Sequence, residues 1–149
     1  MATQLEGVAE LTGQLTELGA RLAARELRGT VKAALQKAEH RARSRIPIGN
    51  EPHKTYRGRL VSPGYAVSTL HIEVKLNKRT GTVSASLGVG REAFYAVQFI
   101  ELGTSKIQAN PWLRPSFEES EDEMLRTIGD EMRARIDKIE KRRAAGKRL

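Results

Sequence analysis

Hydrophobic positions along the chain follow a helical period at both ends and strict alternation in the middle. From Leu5 to Ile46 they recur every three or four residues, at Leu11, Leu15, Leu18 and Leu22, then Leu27, Val31, Leu35, Ala38 and Ala42. That spacing lays one apolar stripe along a helix. Glu17 with Arg21 and Glu39 with Arg43 stand four apart with the acid first, an order that contributes roughly 0.2–0.5 kcal/mol per pair on a solvated face. Gly19 and Gly29 are weak points, each costing about 1 kcal/mol relative to Ala. Residues 1–46 therefore read as a helical arm, one long helix or two collinear ones, ending before Pro47. From Thr69 the period becomes two: Leu70, Ile72, Val74 and Leu76 share one face and His71, Glu73 and Lys75 the other. Turn residues fill Asn77 to Gly81, and Val83, Ala85 and Leu87 alternate again. This predicts an antiparallel hairpin with one apolar face.

The closing stretch returns to helical spacing at Leu125, Ile128, Met132, Ile136 and Ile139. Glu118, Glu119, Glu121, Asp122 and Glu123 precede it, and Lys138, Lys141, Arg142 and Arg143 end it, the polarity that a helix dipole favours. Pro115 suits the opening of that helix. Between the periodic stretches, residues 47–66 hold Pro47, Gly49, Asn50, Pro52, Gly58, Pro63 and Gly64 without any period. They read as a long loop, of a length that is usually functional or mobile. Phe94 to Gly103 is compact and apolar, predicting a short helical turn that runs into a third strand.

The expected fold is α+β in a single domain of 149 residues. It comprises the helical arm (1–46), the loop (47–66), the hairpin and third strand (67–104), a second loop (105–114), a long C-terminal helix (115–143) and a frayed tail (144–149). A helix from Leu5 to Arg45 would be ~60 Å long, against roughly 40 Å for a globule of this chain length. So long a stripe needs cover. A thin sheet flanked by two such helices points to contacts between subunits.

Charge and composition narrow the function. Lys and Arg number 26 against 18 Asp and Glu, a net charge of +8, which suits nucleic acid, an acidic protein surface or plain solubility. The chain has no Cys, which excludes disulfide scaffolds and thiolate metal sites. Glu6, Glu10 and Glu17 interrupt the first twenty residues, unlike a signal peptide, and no apolar run approaches the ~20 residues that span a bilayer. A soluble protein without membrane partners is expected.

Candidate chemistry is thin. Gly88-Val89-Gly90-Arg91-Glu92-Ala93 fits the dinucleotide fingerprint G-x-G-x-x-A, which requires a crossover helix leading to a parallel strand. Here the preceding strand belongs to a hairpin and Gly103 follows too soon, so a glycine-assisted strand exit is the better reading. His40, His53 and His71 lie on a helix, a loop and a strand without a paired spacing, and the acids from Glu118 to Glu123 lack a calcium-loop pattern. No nucleophile setting such as G-x-S-x-G appears. No enzyme activity, cofactor or metal is expected. Two basic groups stand out: Lys138, Lys141, Arg142, Arg143, Lys147 and Arg148 at the C-terminal end, and Arg41, Arg43, Arg45, Lys54, Arg57 and Arg59 around the long loop. Arg57, Arg59, Lys138, Lys141, Arg142 and Arg143 are candidates for phosphate or acidic-partner contacts, against the plainer reading of solvated faces.

Five of the seven aromatic residues fall between Phe94 and Phe117. The run Phe94-Tyr95-Ala96-Val97-Gln98-Phe99-Ile100-Glu101-Leu102-Gly103-Thr104-Ser105, followed by Asn110-Pro111-Trp112-Leu113-Arg114-Pro115-Ser116-Phe117, closely resembles a family of siphophage proteins. Their pattern is an aromatic, then apolar-apolar-Glu-apolar-Gly-Thr-Ser, then Pro-aromatic-Leu-Arg-Pro. This is the HK-type phage "gene product ten" family of head–tail joining or tail-completion proteins. The order of helix, loop, hairpin, motif and helix matches too. One departure is the long insert from Gly49 to Pro63, where family members often have a tight Pro-x-x-Thr-Gly-x-Leu-x-x-Ser link.

The resemblance implies a structural virion protein, made in the host cytoplasm and assembled as a ring of six around the DNA channel, at the neck or the top of the tail. Its partners would be further copies of itself and the adaptor, head-closure, tail-terminator or tube proteins. A tail terminator is the alternative within that class; a free, nonspecific nucleic-acid-binding accessory protein is the alternative outside it. Tyr95, Phe99, Glu101, Gly103, Thr104, Pro111, Trp112, Leu113, Arg114 and Pro115 are expected as core anchors or interface residues. Gly103 suits a positive φ at a strand exit, and Pro111 and Pro115 stiffen the approach to the helix. Trp112 and Leu113 are expected to anchor that helix to the sheet. Arg114, poorly placed for the dipole, should pair with Glu101 or with an acid across an interface.

Overall fold

The computed structural model describes residues 20–77, 80 and 82–146. In chain order these form α1 (Ala20–Arg45), β1 (His53–Lys54), β2 (Leu60–Val61), α2 (Tyr65–Ser68), β3 (His71–Leu76), β4 (Val83–Gly88), α3 (Arg91–Leu102), α4 (Leu113–Glu118) and α5 (Glu121–Ala144). The class is α+β, with two separate antiparallel two-stranded sheets, β1–β2 and β3–β4. Residues 5–19 of the expected first helix, with the break at Gly19 and the pairing of Glu17 with Arg21, lie outside the described side chains, as do residues 147–149 of the expected tail.

The chain packs as two compact units. One takes α1 up to Ala34, the hairpin from Val74 to Ala85, and the chain from Asp122; the other takes Leu35–Glu73 and Ser86–Glu121. In the first, Met132, Ile136 and Ile139 of α5 form a buried cluster against Leu22 and Leu27 of α1, with Ile128 beside them. Burying each such side chain stabilises by about 1.5–3 kcal/mol. Glu26 meets Arg135 at 3.0 Å and Thr30 Oγ1 lies 3.1 Å from Met132 Sδ, so the two helices run antiparallel there. Close approach is possible because α1 presents small side chains: Ala24 and Ala34 are buried and Thr30 wholly so. Gly29 belongs to the same seam, since a Cβ there would come within 2.8 Å of the Arg135 guanidinium.

In the second unit α1 ends on polar tethers. The Arg43 guanidinium donates to the Val67 carbonyl at 3.0 Å and to Glu39 at 2.8 Å. Arg41 donates to the wholly buried Ser120 hydroxyl at 2.6 Å, and Arg45 to Glu119 at 2.6 Å. The Arg45 bond is the leading reason that the Glu119 carboxyl titrates below its ordinary value. Three of the six basic residues expected around the long loop thus hold α1 to its neighbours.

Three expectations are corrected. Residues 94–103 contain no strand: α3 is helical from Arg91 to Leu102, so among the described residues the hairpin has no third strand beside it. The segment is apolar at nearly every position, so neither period could be read from it, and burial on one side only fixes it as a helix. Residues 47–66 are not structureless, because β1 and β2 pair antiparallel with His53 opposite Val61 and Lys54 opposite Leu60. This ribbon is too short for alternation to show; it is secured by buried Val61 and by Thr55 Oγ1 donating to Glu92 at 3.2 Å. His53 accordingly sits on a strand. The closing helix is two helices, α4 and α5. Pro115 is the third residue of α4, still in the first turn, where a missing N–H costs nothing.

Candidate functional site

The residues that carry the motif fold into a helix, a tight loop and a second helix. Glu101, in the last turn of α3, turns its carboxylate onto the open end of α4. Oε2 accepts the backbone N–H groups of Trp112 at 2.6 Å and Leu113 at 2.8 Å, and Oε1 that of Arg114 at 2.9 Å. The first N–H groups of a helix have no partner inside it, and a carboxylate there also meets the positive end of the dipole. Partial burial pushes the Glu101 carboxyl upward, yet the three N–H donors and the Arg114 charge outweigh it and hold its pKa below the ordinary value. Arg114 therefore meets Glu101 through its backbone amide, with its side chain adding a Coulombic attraction.

The loop is as closely fitted. Gly103 ends α3 at φ +74°, where a Cβ would come within 2.9 Å of the Ala109 backbone nitrogen; only glycine meets both demands. This is a helix end, not the expected strand exit. Thr104 Oγ1 accepts the N–H of Lys106 at 3.2 Å and of Ile107 at 3.0 Å, and Asn110 N–H donates to the Ile100 carbonyl at 2.8 Å. Trp112 is only 3% exposed, and its indole N–H donates to the Val97 carbonyl at 3.3 Å. Its anchor is thus α3. Ser116, also buried, donates back to the Trp112 carbonyl at 2.5 Å.

With its inner face held this way, α3 turns large apolar side chains outward. Ala93 and Val97 are buried, whereas Phe94, Tyr95, Phe99 and Leu102 are 47%, 48%, 48% and 60% exposed. Those four follow one another at helical spacing on one side. Tyr56 from the β1–β2 turn extends the patch, its ring edge-on to Tyr95 with centroids 5.1 Å apart, and Tyr95 stands edge-on to Phe94 at 5.6 Å. The Arg57 guanidinium lies 5.4 Å from the centre of the Tyr56 ring, and that of Arg59 lies 5.7 Å from Tyr65. Beside Phe94 and Leu102 a cleft of about 230 Å³ opens, walled by Leu87, Val97, Trp112 and Leu113. An exposed cluster of Phe, Tyr and Arg is the composition of an interface centre.

The motif residues therefore divide. Glu101, Gly103, Thr104 and Trp112 serve the intrachain clamp, Arg114 joins it by its amide, and Tyr95 and Phe99 face outward. Leu113 and Pro115 are half-buried and Pro111 is exposed. Phe94, Leu102 and Tyr56 complete the patch and were not among the expected anchors; the outward stripe of α3 was the signal for Phe94 and Leu102, and nothing in the sequence marked Tyr56. Arg57 and Arg59 are exposed in the second unit, while Lys138, Lys141, Arg142 and Arg143 are exposed along the end of α5. The fingerprint Gly88 to Ala93 does form a strand, a turn and a helix, but the strand is half of the hairpin and no strand follows α3 among the described residues. Among those residues, no group of three or more His, Asp or Glu side chains is placed to hold a metal ion, and no helix is long and apolar enough to cross a membrane. No protein-family model, curated protein or solved structure matches the chain.

Proposed function

We propose that this chain is a non-enzymatic structural protein of a tailed-phage virion, assembling with its own copies into a ring at the head–tail junction or the upper end of the tail. The observation that carries the reading is the outward face of α3, where Phe94, Tyr95, Phe99 and Leu102 stand half exposed on a helix that is otherwise rigidly seated. An apolar patch of this kind on a soluble chain marks a contact surface. The likeness of residues 94–117 to head–tail joining proteins supports the virion setting, and six is the expected copy number. Exposed Arg57, Arg59, Lys138 and Arg142 would then meet packaged DNA through phosphates, without reading sequence.

Mass measurement of the intact protein, alone and mixed with neck and tail proteins, tests this reading. Closed assemblies of defined copy number are expected, with weak DNA binding. A monomer at all concentrations, absent from purified particles, would remove the proposal. The second reading, a free nucleic-acid-binding accessory protein, draws on Arg57 lying over the exposed ring of Tyr56, an arrangement that also suits bases. It requires DNA affinity that falls steeply with salt in a monomer or dimer.

A further inference from the structure

We infer that the α3 patch of one copy receives residues 5–18 of a second copy, an acidic leucine-rich segment; this rests on the ring reading and specifies its contact. The patch has two features that an occupant must match. The first is apolar shape: Phe94, Tyr95, Phe99 and Leu102 stand beside a cleft of about 230 Å³. A cavity of ~150 Å³ lined by aliphatic side chains holds a benzene, so this one has room for a leucine side chain from outside. The second is charge. Arg91 precedes Tyr95 by one helical turn and is exposed, and Arg57 lies over Tyr56. The two nearby acids are already engaged, Glu101 by three backbone N–H groups and Glu92 by Thr55. The free charges of the patch are basic.

One stretch of the chain offers the complement of both. Residues 1–19 hold Glu6, Glu10 and Glu17 and no Lys, Arg or His, although the whole chain carries +8. Within them Leu11, Leu15 and Leu18 recur at steps of four and three, and Glu10 and Glu17, seven apart, flank that stripe on one side. Apolar anchors enter the cleft and the flanking carboxylates meet Arg91 and Arg57. Seating the segment on the next copy makes the contact heterologous, the kind that closes a ring when repeated.

The cysteine-free chain allows a direct test. Full-length Gln14→Cys protein is mixed with full-length Ala96→Cys protein and oxidised, and dimers of mixed composition are counted by mass; both cysteines stand beside the contact and leave its leucines and aromatic side chains in place. Ala96 is exposed on α3, and circular dichroism of each variant checks its folding before oxidation. Mixed dimers should exceed by at least tenfold those formed by Gln14→Cys with Lys138→Cys, and adding Arg91→Glu should reduce them several-fold. Mixed dimers no more abundant than the Lys138 control, in wild-type protein that still forms large assemblies, overturn the inference and leave the ring reading standing. A chain carrying both cysteines that closes only on itself overturns it in favour of an intrachain seat. Wild-type protein that never assembles removes the ring reading and this contact together.

Discussion

Helices α5 and α3 both carry a full apolar stripe, yet one hides it and the other displays it. In α5 the stripe of Met132, Ile136 and Ile139 is the core of its unit, covered by Leu22 and Leu27 of α1. In α3 the helix is held from its opposite side by Val97, Trp112 and the Glu101 carboxylate, so its aromatic side is not needed for folding. Hydrophobic burial builds one region; hydrogen bonds to backbone ends lock the other. A surface freed from holding its own fold is available for another molecule.

Four changes probe that contrast, starting with the most damaging. Trp112→Ala should cost about 3–5 kcal/mol, read as a lower urea midpoint, because a nearly buried ring and its indole bond are both lost. Ile136→Ala should cost ~2–5 kcal/mol through a cavity against α1, and should leave the self-assembly proposed for the α3 face unchanged in gel filtration. If Ile136→Ala proved harmless, α5 would not be the aliphatic core described. Glu101→Ala removes one acceptor from three N–H donors and should cost roughly 1–3 kcal/mol at pH 7. The sign of its pH dependence follows from the lowered pKa. Stability from this carboxylate is complete above its unfolded value, near 4.5, and is lost as pH falls through the lower folded value. The gap between wild type and Glu101→Ala should therefore narrow in acid, as urea titrations at pH 7 and pH 3 can show. Phe99→Ser should shift stability by no more than about 0.5 kcal/mol yet abolish assembly; a large stability loss would place Phe99 in the core after all.

The sequence was most legible where one period ran without interruption. Ile72, Val74 and Leu76 alternate with His71, Glu73 and Lys75 in burial as they do in type, and Glu39 and Arg43 form the expected ion pair at 2.8 Å. Pro47 marks the end of α1 closely. What could not be read depends on contacts distant in sequence. Residues 94–102 are apolar on both sides because one side faces the fold and the other does not, and composition cannot tell those apart. Glu101 caps backbone groups 11 to 13 residues away, and nothing in its spacing distinguishes that role from an ion pair with Arg114. The small residues that let α1 approach α5 were likewise obscured, since Thr30 carries no apolar signal although it is wholly buried.

Gly29 shows how a helix can be tuned by what rests on it. The Arg135 guanidinium lies over its bare backbone and links Glu26 at 3.0 Å with Glu131 at 3.2 Å. Exchanging a mid-helix glycine for alanine ordinarily gains about 1 kcal/mol. Here the added methyl would displace the cation that keeps two carboxylates at peace, so the gain from a better helix former should be largely cancelled. A residue that looks like a flaw in one helix is the berth for a charge belonging to another.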